Sequence, residues 1–321
     1  MTEVRPVAVV TGGTAGVGRA TVRELAARGY DVGVLARGAE GLRATADDVR
    51  RSGGRCVTVV VDVADAAAVD DAARQVADEL GPIVVWVNNA FVGTLAWFWD
   101  SPEEEFRRVT EVTYLGQVNG MRTALKHMRP RDRGSIVNVS SALAHRSIPL
   151  QAAYCGAKHA IVGATDAIRT ELKAEGSRVG LSLITLPGVD TPQFSWNLNR
   201  MPRRPAPVPP LITSEVAARA IVDVAERPRR QTWVGLGTVM TVLGGRFAPW
   251  FMDAYLARTG VESQQTDRPT HRGHGNLYEP SDEHQDAGAH GDFGDQARDR
   301  DPVSAVGLLA TRLRARLAQR A

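Results

Sequence analysis

The feature that most constrains this chain is a strict alternation. Runs of β-branched and aliphatic residues at 7–10, 32–35, 56–61, 83–87, 135–139, 179–186 and 231–234 are separated by longer segments of helical spacing. Those segments lie at 18–28, 40–51, 66–80, 103–128, 151–175 and 214–226. A run that is apolar at nearly every position, rather than every second one, is a strand covered on both faces. Strand and helix in turn therefore predict an α/β fold, a doubly wound parallel sheet of about seven strands flanked by helices. No repeat at a solenoid period competes with this reading.

A chain of 321 residues has room for one large domain, at the usual figure of about 150 residues per domain or somewhat more for α/β folds. The two cysteines, Cys56 and Cys155, have no metal-ligand spacing and suggest no disulfide framework, so the default compartment is reducing and the expected location cytoplasmic. Residues 1–261 carry 31 basic and 26 acidic side chains, 262–302 carry 4 and 10, and 303–321 carry 4 and none. No basic cluster is interleaved with aromatics, which argues against a nucleic-acid partner. The N-terminal ten residues include Glu3 and Arg5 and lack a secretory apolar region. The apolar stretch 233–245 is too short to span a bilayer, so no transmembrane segment is expected.

Two regions break the alternation. Residues 187–212 include Pro202, Pro205, Pro207, Pro209 and Pro210 and cannot be regular helix or central strand, so they read as a lid at the carboxyl edge of the sheet. Residues 262–302 are polar and poor in aliphatics, which predicts a flexible linker. Its His271, His274, His284 and His290 read as solvated rather than as metal ligands, and no metal is expected. The domain organisation is thus an α/β body over 1–261, with a variable segment at 233–261, then the linker. A basic amphipathic helix follows at 303–321, its stripe Val303, Val306, Ala310, Leu313 and Leu317 beside four arginines.

The chemistry gathers at strand ends. The first strand runs into Thr11-Gly12-Gly13-Thr14-Ala15-Gly16-Val17-Gly18 and then a helix, a turn whose glycines let backbone amides and the helix N-terminus approach a pyrophosphate. The second ends in Ala36-Arg37, offering a cation and no carboxylate where the adenosine ribose would lie, which favours NADP(H) over NAD(H). Asp62 and Val63 follow the third strand, beside the adenine, and Asn88-Asn89-Ala90 follow the fourth. Ser140-Ser141 ends the fifth, where a hydroxyl could hold a substrate carbonyl. Tyr154 and Lys158, four apart, share one helix face, and a cation beside a phenol stabilises the phenolate needed for proton transfer. Lys126, Lys158 and Lys173 are the chain's three lysines among 39 basic residues, which marks the Lys158 position.

In this order and spacing, Thr11-Gly12…Gly16-Val17-Gly18, Asn88-Asn89-Ala90, Ser141, Tyr154…Lys158 and Pro187-Gly188…Thr191 resemble the short-chain dehydrogenase/reductase family over roughly residues 5–235. The resemblance implies one Rossmann-type domain, Tyr154 as general acid/base, Ser141 orienting the substrate oxygen, and Lys158 on the nicotinamide ribose. It further implies cofactor contacts from Gly12, Thr14, Gly16, Val17, Gly18, Arg37, Asp62, Val63, Asn89, Ala90, Tyr154 and Lys158, and from Pro187, Gly188, Val189 and Thr191. A homo-oligomer is implied as well. The sequence departs from the family twice. Phe91 stands where a glycine usually follows Asn-Asn-Ala, and Thr113 stands where a catalytic asparagine usually belongs. Asn119 is no substitute, because six residues along a helix rotate it about 240° away.

The expected activity is an NADPH-preferring oxidation and reduction between a secondary alcohol and a ketone, on a small-molecule substrate. Trp97, Phe98, Trp99, Phe194 and Trp196 are candidates for an apolar substrate cleft. Two other readings compete: a catalytically weak dinucleotide-binding sensor or scaffold, motivated by Thr113, and a peripheral membrane enzyme, motivated by 303–321.

Overall fold

A computed structural model describes residues 5–270 and 275–299. The expected alternation folds as β1 (Val7–Thr11), α1 (Gly16–Ala27), β2 (Asp31–Ala36), α2 (Ala39–Arg51), β3 (Cys56–Val60), α3 (Ala66–Leu80) and β4 (Ile83–Asn88). The second half contains α4 (Glu103–Thr110), α5 (Gly116–Met128), β5 (Ser135–Ser141), α6 (Ala152–Ala174), β6 (Gly180–Leu186), α7 (Ser214–Glu226) and β7 (Gln231–Trp233). Two further helices, α8 (Leu236–Phe247) and α9 (Pro249–Thr259), follow.

The seven strands form one parallel sheet in the order β7-β6-β5-β4-β1-β2-β3. Winding reverses between β1 and β4, and the crevice at the carboxyl ends of those strands is where such a sheet accepts a ligand. Successive residues of β1 serve opposite faces. Ala8 and Val10 join the layer under α1 and α7 with Val34, Ile184 and Ile221. Val7 and Val9 join the layer under α3 and α5 with Leu35, Trp86, Met121 and Ile136. Burial on both faces explains why the inner strands β1, β2, β4, β5 and β6 read as largely apolar runs, each fully buried Val, Leu or Ile contributing about 1.5–3 kcal/mol, whereas the edge strands β3 and β7 are only partly covered.

The helix expected over 103–128 is interrupted. Residues Glu111–Leu115 form a π-helical turn between α4 and α5, a widened turn that resets which side chains face inward. It delivers Thr113, fully buried, to the backbone of residue 92.

Residues 262–302, expected as a flexible linker, are held against the body wherever they are described. Gln265–Pro269 pairs antiparallel with Arg203–Pro205, and Ala297–Arg298 pairs with Leu211–Ile212, which pairs in turn with Gly188–Val189. Between them, 275–299 crosses the carboxyl edge of the sheet. Leu277 is wholly buried in the layer of Val63 and Val112, Ala289 packs on Ala20 and Ala218, and the Phe293 and Phe194 rings meet edge to face at 5.9 Å. Polar composition misleads here because three apolar contacts and many backbone hydrogen bonds suffice to hold a segment that has no core of its own. His290 Nε2 lies 3.1 Å from Glu215. His271, His274 and the helix expected at 303–321 lie outside the described residues. Among the described residues no helix is long and apolar enough to cross a membrane, and no group of three His, Cys, Asp or Glu is placed to hold a metal.

Candidate active site

The turn after β1 has the close approach its glycines predict. Gly12 and Gly16 adopt φ of +64° and +54°, in the left-handed region where a side chain is strained. A Cβ at Gly18 would collide with the Gly12 carbonyl, so the start of α1 packs directly on the turn. Asn89, just past β4, locks it from the other side: its Nδ2 donates to Gly12 O at 3.0 Å and Thr11 O at 3.3 Å. The amides of Asn89 and Ala90 donate to Thr11 Oγ1. Asn88 faces the interior, where it accepts from Trp86 Nε1 and donates to Asn138 Oδ1 at 2.8 Å, so it braces the sheet rather than the cleft.

At the edge of β2, the Arg37 guanidinium donates to the carbonyls of Asn276, Leu277 and Tyr278. Asp62, beyond β3, is paired with Arg108, and its Oδ1 accepts from Ala64 N at 3.0 Å. Thr191 is buried with its methyl group against Gly16, and Gly16 N donates to Gly288 O at 3.0 Å.

The other half of the cleft joins β5 to the first turns of α6. Ser141 Oγ accepts from Leu143 N at 3.2 Å. Burial pushes the Tyr154 phenol well above its ordinary value, against the opposing pull of the neighbouring Ser141 hydroxyl. One turn on, Lys158 is 2% exposed. Its Nζ donates to Val139 O at 2.9 Å and lies 5.6 Å from the Tyr154 ring centroid. Burial lowers its ammonium to about 7. The Phe91 ring completes the group, meeting Tyr154 edge to face at 5.8 Å.

The structure thus brings together Gly12, Thr14, Gly16, Val17, Arg37, Asp62, Val63, Asn89, Ala90, Ser141, Tyr154, Lys158, Pro187, Gly188, Val189 and Thr191 around one cavity of about 690 Å³. Gly18 stands behind the turn. Thr113 is not in the cavity wall: its hydroxyl accepts from Val92 N at 3.1 Å and donates to Val92 O at 2.8 Å. Its contribution is to hold the loop that carries Phe91 and Val92.

Of the aromatic candidates, Phe194 and Trp196 line the cavity. Trp97 instead stacks on Trp99 at 5.0 Å, and Phe98 and Trp99 are 65% and 74% exposed. The proline-rich segment expected as a lid supplies Pro205–Pro210 to the wall, and much of the apolar side comes from Leu236, Met240, Met252 and Tyr255 of α8 and α9, side chains that sequence reasoning did not single out. The apolar run at 233–245 was the signal available for α8. Sequence reasoning also missed Pro280, Ser281 and Asp282 in the wall, for which the polar composition of 262–302 offered no signal.

The family described as short chain dehydrogenase matches residues 6–201. An uncharacterized oxidoreductase of Bacillus subtilis, YxnA, is 31% identical over 266 residues, which span 82% of this chain and 75% of that protein. A Mycobacterium tuberculosis protein named "Probable oxidoreductase EphD" is 37% identical over 183 residues, 57% of this chain, but the match spans only 31% of its own length. Among solved structures, a variant of actinorhodin polyketide ketoreductase with NADPH superposes with a TM-score of 0.64 at 25% identity, covering 72% of this chain and 95% of that one.

Proposed function

Since this chain belongs to the short-chain dehydrogenase family, an oxidoreductase family, we propose that it interconverts a ketone and a secondary alcohol with a nicotinamide dinucleotide, Tyr154 serving as general acid/base. The observation that carries this reading is the convergence of Ser141, Tyr154 and Lys158 on the same cavity as the glycine turn. The volume and the side-chain-free cradle at Gly12 and Gly16 fit a dinucleotide. Its diphosphate would lie on the turn and the start of α1, its adenine between Asp62 and Val63, and its nicotinamide end near Thr191 and Lys158. When bound, the cofactor supplies or accepts the hydride.

The protein's own residues handle the proton. The Ser141 hydroxyl and the Tyr154 phenol line the same cavity, where both would act on one substrate oxygen. Tyr154 gives that oxygen its proton in reduction and takes it back in oxidation. A protonated Lys158 beside the ring stabilises the phenolate between these steps. Leu236, Met240, Phe194 and Trp196 give the substrate side an apolar wall.

On β2, Arg37 with no carboxylate at Ala36 supports NADP(H), as does the NADPH held by the ketoreductase neighbour. Residues 276–283, whose carbonyls engage the Arg37 guanidinium, oppose that tendency. The reading is tested by titrating the protein with NADPH and NADH and following reduced-nicotinamide absorbance over a panel of apolar ketones. Binding of a dinucleotide and turnover of a ketone are expected. Failure to bind either cofactor overturns it, and binding without turnover across the panel leaves the sensor reading in its place.

A further inference from the structure

The end of β2 is covered by a segment remote in sequence. Arg37 is engaged there by three main-chain carbonyls, those of Asn276, Leu277 and Tyr278, through three of its five N–H donors. A few residues on, Gly41 N donates to Asp282 O at 3.1 Å and Glu40 N to Glu283 O at 3.3 Å, while Ala39 N donates to Glu283 Oε2 at 3.1 Å. The free amides at the start of α2, which would favour a phosphate, are therefore already taken.

The Asp282 side chain lies where a side chain at Gly38 or Gly41 would sit, against Thr14. The residue is 7% exposed, its Oδ2 is buried with no hydrogen-bond partner among the described residues, and it forms part of the cavity wall. The segment 275–299 carries seven acidic side chains and one basic. A buried carboxylate oxygen without a partner is costly unless a donor reaches it. Ribose hydroxyls are donors. A ribose 2′-phosphate brings only acceptors and negative charge.

We propose that Asp282 is a specificity-determining residue for the dinucleotide: with 276–283 in place it accepts from the adenosine ribose hydroxyls of NAD(H), while NADP(H) must displace the segment before its 2′-phosphate can reach Arg37. This rests on the dinucleotide reading above. The carboxylate absent from the end of β2 is supplied from the far end of the chain, and the cation at Arg37 serves first to anchor the segment that carries it. Arg37 and Asp282 thus pull in opposite directions on the 2′ position, and their effects are separable.

The test is equilibrium titration of the full chain with NADH and NADPH, by reduced-nicotinamide fluorescence, with circular dichroism confirming the fold of each variant. The unaltered protein binds NADH more tightly than NADPH. Asp282→Asn, which keeps the shape and removes the charge, tightens NADPH by about tenfold and weakens NADH by a smaller factor. Arg37→Ala in the Asp282→Asn background removes that gain. Glu283→Gln, which weakens the hold on Ala39 N without touching the cavity wall, moves the ratio in the same direction as Asp282→Asn and less far. A NADPH-to-NADH affinity ratio unchanged by Asp282→Asn, or a preference for NADPH in the unaltered protein, overturns the proposal while leaving the dinucleotide reading standing. Failure of both cofactors to bind any form overturns the two together.

Discussion

The ammonium of Lys158 stands 5.5 Å from the centroid of the Phe91 ring. Phe91 takes the place where the family usually has glycine, and its π face offers the buried cation an attraction that glycine could not. The departure from the family pattern therefore bears on the same lysine whose ammonium lies 5.6 Å from the Tyr154 ring centroid.

Replacing Phe91 with Ala removes that attraction and lowers the Lys158 pKa further below about 7. The ammonium that supports the phenolate is then lost earlier as pH rises. A cation–π contribution of about 0.5–1 kcal/mol corresponds to a shift of roughly half a pH unit. The alkaline limb of the turnover profile should move to lower pH by that amount; an unmoved limb would separate Phe91 from the lysine.

For Tyr154→Phe, affinity for the dinucleotide should be nearly unchanged while turnover falls by about 10²–10⁴, the usual scale for a positioned proton transfer. Comparing direct cofactor titration with steady-state rates checks both halves. Retained turnover on a verified ketone would remove Tyr154 from the chemistry.

Lys158 also makes a statement about stability. Burial lowers it from its ordinary 10.5 to about 7. Below about 7 it is charged in both folded and unfolded chains, and the fold bears the full cost of burying the charge. Between about 7 and 10.5 the unfolded chain holds a proton that the folded chain has shed, so stability rises with pH across this window. Urea midpoints should rise from about pH 7 to about pH 9, and Lys158→Met should flatten that rise.

Thr113 tests the π-helical turn. Thr113→Val keeps the shape and leaves the amide and carbonyl of Val92 without their hydroxyl partner, at a cost of about 1–3 kcal/mol. Melting should drop by several degrees, about 2–4 °C for each kcal/mol in a domain of this size, and Thr113→Ser should recover most of it. Thr113→Asn, an enlargement at a fully buried position, should be less stable than the serine variant.

Leu277 is the buried apolar anchor next to the carbonyls that bind Arg37. Leu277→Ala should cost about 2–5 kcal/mol locally and expose 275–299 to limited proteolysis, with the main thermal transition of the body little changed. Cleavage no faster than in the unaltered protein would mean that the backbone contacts alone hold the segment.

Much of this protein was legible in its residues because the signals are local. Strands covered on both faces must be apolar throughout, so the inner strands of the sheet were visible as runs, while the half-buried edge strand Gln231–Trp233 left only a faint one. Glycines needed for positive φ at Gly12 and Gly16 and a Tyr154–Lys158 pair on one helix face are spacing rules that act within a few residues. The π-helical turn at Glu111–Leu115 was not legible, because it leaves the helical apolar pattern intact and shifts it by one position.

By itself, then, the sequence determined the doubly wound sheet, the cradle after β1 and the meeting of Ser141, Tyr154 and Lys158 at one cavity. These follow from periodicity and local backbone conformation. Only the tertiary structure decided what becomes of Arg37. A bare arginine at the end of β2 reads as a 2′-phosphate site, yet its guanidinium is bound to carbonyls about 240 positions away. Main-chain carbonyls are common to every residue, so nothing in side-chain composition marks a segment that binds through them. Whether a carboxylate such as that of Asp282 is solvated or buried against a ligand site is a matter of packing.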